Sequence, residues 1–159
     1  MSMTSPIRDQ MLNLGTLDAS GANAVVFAPG RPAIVRKIVT VTTIAQTTAD
    51  AVITMAVRDV DDGNSTTQGT FTLPFTGSAA DDVKFVKPGQ PSATGATAVD
   101  GSTVYEGFTP GGGIRVEVGQ ELSLTSNGGG DAGTYQVYVE YIDEGFNEAD
   151  GTELTFTAA

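Results

Sequence analysis

The chain has 159 residues, 19 acidic and 8 basic, with no cysteine, histidine or tryptophan and a formal net charge of −11. Disulfides and thiolate metal sites are excluded, and the commonest general base and metal ligand is missing. A surface this acidic repels nucleic acid and anionic membrane, because both bind through Lys and Arg that displace counterions.

The length fits a single domain able to bury roughly two thirds of its unfolded surface. No apolar run approaches the ~20 residues of a membrane span, and "MSMTSPIRDQMLNLG" lacks the apolar core of a signal peptide. The expectation is a soluble protein made in the cytoplasm, free of cofactors and metals.

Residues 1–20 read as an N-terminal arm, with Ile7, Met11, Leu12, Leu14 and Leu17 as its apolar members. Alone it lacks the area to fold, so it either closes the domain or lies on a partner. Residues 21–159 read as one β-sandwich domain. Threonine is abundant, with 22 residues, and valine is frequent; both are stiff at χ1 and suit a pleated surface. Strands are predicted at Ala24–Ala28, Ile34–Ile44, Val52–Val60, Thr70–Thr76, Val83–Lys87 and Ser102–Phe108. The Ile34–Ile44 run is long enough to bend or to serve two sheets. Turn signals such as Pro29-Gly30, Asp62-Gly63-Asn64 and Asn127-Gly128 separate these runs, a pattern of all-β sandwiches and barrels.

Three motifs have a structural reading beside a functional one. Asp59, Asp61, Asp62 and Asn64 suggest weak calcium binding, but glycine and the closing glutamate are misplaced for a calcium loop, and a solvated hairpin turn accounts for them. "LPFTG", residues 73–77, matches a sortase signal but is central, and reads as an edge strand with Phe71, Leu73 and Phe75 on one face. The neighbouring acids Asp81-Asp82 and Asp143-Glu144 point to opposite faces of a strand and cannot share one substrate atom. Residues 88–101, rich in Gly, Pro, Ala and Thr, read as an exposed excursion.

In "GIRVEVGQELSLTS", Ile114, Val116 and Val118 alternate with charged residues, as do Leu122 and Leu124 with polar ones. Gly119-Gln120 between them reads as a two-residue hairpin turn. No Lys-Ser/Thr follows the glycines, so this is not a phosphate loop. In "TYQVYVEYID", Tyr135, Val137, Val139 and Tyr141 share one face; Gln136, Tyr138, Glu140 and Ile142 share the other, and that mixed face suggests a neighbour or a subunit. A last strand is predicted at Glu153–Thr157. Nine carboxylates and no basic residue follow Arg115.

The "VEVGQELSLTSNGGGDAGTYQVYVEY" run resembles the closing strands of small β-sandwich proteins that decorate tailed-bacteriophage heads. The matching positions are Val116, Gly119, Gln120, Leu122 and Leu124, then Gly128–Gly130, then Tyr135–Ile142. The resemblance implies an antiparallel, jelly-roll-like β-sandwich that is not an enzyme. It further implies a virion structural protein on the outer face of the expanded capsid, bound to the major capsid protein and to copies of itself, as trimers or dimers. The capsid contact is expected at Ile7, Arg8, Met11, Leu12 and Leu14, with Arg31, Arg36 and Lys37. Two other roles stay open: a head-fibre or adhesin-type module recognising glycans, with Tyr105 and Phe108 as exposed aromatics, or a tail or baseplate component.

Overall fold

Period-two alternation organises the chain. Along "TYQVYVEY", Tyr135, Val137 and Val139 are buried while Gln136, Tyr138 and Glu140 are half-exposed. The same pattern along "AVITMAV" buries Ala51, Ile53, Met55 and Val57, so each sheet has one apolar inner face to cover. The computed structural model describes residues 10–76, 78–87, 105–106, 113–128 and 132–143.

These residues form β1 (Gln10–Asp18), β2 (Ala24–Phe27), β3 (Ala33–Ile44), β4 (Ala51–Asp59), β5 (Ser65–Leu73), β6 (Val83–Val86), β7 (Tyr105–Glu106), β8 (Ile114–Val116), β9 (Gln120–Ser126) and β10 (Thr134–Asp143). One sheet has the order β1-β10-β3-β6, with β8 also on β3; the other has the order β2-β9-β4-β5-β7. The pairings are antiparallel. With β7 and β8 set aside, successive strands alternate between sheets except at the β4–β5 hairpin. That is the order of a jelly roll, not of an immunoglobulin sandwich.

The two inner faces meet in one core. Leu17, Val35, Ile38, Val137 and Val139 come from the first sheet, and Phe27, Ile53, Met55, Phe71, Leu122 and Leu124 from the second. Its polar members are satisfied: the Tyr135 hydroxyl bonds Gln46 Oε1, and Gln46 Nε2 donates to the Ala49 carbonyl at 2.9 Å.

Three sequence expectations change. The Gly119-Gln120 step is not a hairpin: β8 pairs with β3 in one sheet, and β9 pairs with β2 and β4 in the other. Gln120 N–H donates to the Glu117 carbonyl at 3.0 Å and Gly119 sits at φ +86°, which makes a β-turn of type II character at a corner between sheets. Val118 therefore caps the corner, 61% exposed, instead of facing inward. The strand expected to run to Thr76 stops at Leu73, because Pro74 has no N–H to donate; Phe75 leaves the core face and is 38% exposed. The long β3 serves one sheet only, but holds two partners along one edge, β6 at Ile38–Val41 and β8 at Ala33–Val35. Entry into β8 passes so close to β3 that a Cβ on Gly113 would lie 2.5 Å from Ile34 Cγ2 and 2.6 Å from the Val35 carbonyl oxygen. The strand predicted at Glu153–Thr157 and the excursion at 88–101 lie outside the described residues, as do residues 102–104 and 107–108 of the strand predicted at Ser102–Phe108.

Of the two roles open to the N-terminal arm, residues Gln10–Asp18 take the first. They pair along β10 as an edge strand, and Leu17 is fully buried. The register shifts between Asn13 and Gly15, and Asn13 Oδ1 accepts the Gly15 N–H at 2.8 Å. This bulge lets Leu14 pack half-buried against the core. The strand ends in a polar knot. Asp18 N–H donates to Asn23 Oδ1 at 2.8 Å, Asn23 Nδ2 donates to the Thr16 carbonyl at 2.7 Å, and Ser20 N–H donates to Asp18 Oδ1 at 2.8 Å.

Two predictions follow from β1. Leu17→Ala should cost about 2–5 kcal/mol in urea unfolding, whereas Met11→Ala, 59% exposed in the same strand, should stay within about 0.5 kcal/mol. Equal costs would mean that β1 is not part of the cooperative fold. The hydrogen bonds from the Ser20 hydroxyl and N–H hold the Asp18 carboxyl below its ordinary value. Its contribution to stability is then complete above the unfolded carboxyl pKa of about 3.9 and is lost as pH falls through the lower folded value. Asp18→Asn should flatten the acid limb of stability against pH; an unchanged limb would remove Asp18 from that balance.

Candidate functional site

The two outer faces differ in kind. On the second sheet, Thr125, Thr54 and Thr70 form one cross-strand row, and Ser123, Ala56 and Thr67 form the next. This is a hydroxyl-rich face. On the first sheet, the rows are Asn13–Tyr138–Val39–Phe85 and Thr16–Gln136–Val41–Val83, flanked by Met11–Glu140–Lys37 and Ile142–Ile34–Arg115. Tyr138, Val39, Val41, Phe85, Ile34 and Ile142 are half-buried there, and Met11 and Val83 are exposed. Apolar side chains thus adjoin one another on this outer face and are only partly covered among the described residues.

Charge is organised on the same face. Lys37 Nζ lies 3.5 Å from Glu140 Oε2 and 5.2 Å from the centroid of the Phe85 ring; Lys87 Nζ lies 5.8 Å from that centroid. Arg115 pairs with Glu117. Arg36 is the extra residue where the β3–β10 register shifts, and it is exposed.

The structure separates the residues expected to make a contact. Met11 and Lys37 stand in one row, two strands apart, across Glu140. Arg36 is next to Lys37, and Arg31 is exposed in the turn before β3. Leu12 is in register with inward-facing Val139, yet at the open edge it is 44% exposed. Leu14 gives its apolar area to the core. Ile7 and Arg8 lie outside the described residues. Among the members of the face that were not singled out from sequence as contact residues are Phe85, Lys87 and Arg115. A signal existed for the first two, since alternation in "VKFVK" puts Val83, Phe85 and Lys87 on one side. Their placement beside β3 is tertiary.

Other candidates are modest. Asp59 ends β4 and accepts from Gln120 Nε2 at 2.9 Å, while Asp61 and Asp62 sit in the β4–β5 turn, where Asp62 accepts from Asn64 N at 2.9 Å. Among the described residues, no three acids stand together as metal ligands would. A depression of about 260 Å³ at the end of the first sheet is lined by Pro29, Gly30, Arg31, Ala33, Tyr141 and Asp143; it brings together one guanidinium and one carboxylate. Tyr105 is placed in β7, and Phe108 lies outside the described residues.

No protein-family model matches the sequence, and no curated protein matches it. Among solved structures, one described as the structure of PfGH50B is similar at a TM-score of 0.37 and 12% identity. The match covers 89% of this chain and 24% of that one, so this chain spans about a quarter of the length of the protein it matches. So loose a superposition transfers no function.

Proposed function

We propose that this protein is a virion structural protein that binds the outside of an expanded capsid lattice and stabilises it. The observation that supports this reading is the outer face of the first sheet, where the Tyr138–Val39–Phe85 row is flanked by Met11 and Lys37. A face of this composition suits adhesion to another protein. The sequence resemblance to capsid decoration proteins points the same way. A partner that binds only the expanded lattice stabilises it by mass action, and repetition of a modest contact by a symmetric oligomer raises avidity. The acidic remainder of the surface keeps the bound protein off the polyanionic genome.

In this reading the major capsid protein is the partner, and Met11 and Lys37, with exposed Arg36 next in sequence, join Tyr138 and Phe85 at the contact, while Leu12, in register with inward-facing Val139, and Arg31, in the turn before β3, stand apart from it. Because β1 belongs to the sheet, a deletion reaching residue 16 would damage the fold as well as the contact, so a point substitution is the cleaner probe. Heads are assembled from the major capsid protein encoded in the same genome and sedimented with the purified chain, before and after expansion. The chain should co-sediment with expanded heads only, and Met11→Glu should weaken binding by about tenfold or more without changing the unfolding midpoint. Absence of binding to either form, or absence of a capsid gene from that genome, overturns the reading.

A further inference from the structure

We propose that the outer face of the first sheet, where Phe85 lies between Lys37 and Lys87 with Arg36 and Arg115 beside them, docks a carboxylate-bearing protein surface. The proposal rests on the capsid reading for the identity of the partner, but not for its chemistry.

The argument is one of charge complementarity. Acids outnumber bases 19 to 8 over the chain. On this face the order reverses: Lys37, Lys87 and Arg115 stand against Glu140 and Glu117, with exposed Arg36 next to Lys37 at the register shift. The topology makes the reversal. β6 and β8 lie far apart in sequence, yet both flank one edge of β3, and each brings a cation to it. Phe85 then gathers two ammonium groups, at 5.2 and 5.8 Å from its ring. Cations held on an aromatic face are oriented without being neutralised.

The existing ion pairs leave room for a partner. Lys37 and Glu140 are 3.5 Å apart, with side chains 29% and 23% exposed, so the pair is partly covered yet still reaches solvent. The Arg115 side chain is 57% exposed. A docked protein would cover Tyr138, Val39 and Val41, expel water and strengthen each new charge contact. A polyphosphate would gain less. It cannot pack against an aliphatic row, and the chain's net −11 repels it at longer range.

The test uses the full chain and two probes, poly-L-glutamate and an oligothymidylate, followed by amide chemical-shift perturbation. Poly-L-glutamate should shift the amides of Lys37, Phe85, Lys87 and Arg115, and raising NaCl from about 50 to about 300 mM should suppress those shifts. The K37Q/K87Q variant should lose them while keeping its remaining spectrum, and K37R/K87R should restore them. Shifts with oligothymidylate alone would make the face a nucleic-acid surface and overturn the proposal; so would no shift with either probe. With expanded heads, K37Q/K87Q should raise Kd by about tenfold and flatten its salt dependence. Heads that bind wild type and K37Q/K87Q equally would place the capsid contact elsewhere and overturn this inference while the capsid reading stands. Heads that bind neither, beside a positive glutamate titration, would remove the capsid reading alone.

Discussion

The pairing of β3 with β10 carries the molecule. It runs from Thr134 opposite Ile44 to Asp143 opposite Ala33, and it forms the centre of the first sheet. β1 hangs from the far edge of β10, and β6 and β8 hang from the far edge of β3. Because side chains alternate between its register shifts, this pairing decides what enters the core and what stays outside. Tyr135, Val137 and Val139 go in; Gln136, Tyr138 and Glu140 stay out. A slip of one residue would exchange the two sets and destroy both the core and the outer face.

Two of the three register shifts in this sheet bear on its edge and outer face; the third, at Thr43, lies near the end of β3. In β1 the register shift at Leu14 turns an apolar side chain toward the core and interrupts the open edge of the sheet. An interrupted edge is a poor template for pairing with another chain. In β3 the shift at Arg36 falls between the stretch paired with β6 and the stretch paired with β8. The strand can bend there, and the guanidinium is carried at the bend, next to Lys37. The proposed contact and the break in regularity therefore share a position.

The electrostatics of the chain follow from topology more than from composition. The sequence shows an acidic excess with three basic residues clustered at Arg31, Arg36 and Lys37. Folding adds Lys87 and Arg115 to that cluster by placing β6 and β8 along β3. An acidic protein thus gains a local patch of opposite sign, surrounded by apolar side chains. In the proposed contact, such a patch would select a partner through complementarity and steer its approach.

Strand periodicity was legible in the residues themselves. "TYQVYVEYID", "AVITMAV" and "ELSLTS" each fixed an inner and an outer set, because alternation is a local property of an extended chain. The mixed outer face around Tyr138 was visible for the same reason. What the residues could not settle was every relation between segments distant along the chain. Local geometry at Gly119 is the same whether the turn closes a hairpin or carries the chain from one sheet to the other. The choice of jelly roll, the role of Gln10–Asp18 as an edge strand, and the gathering of Phe85, Lys87 and Arg115 beside Lys37 all depend on which inner faces bury one another. That is a collective property of the packed core, and only the folded chain decides it.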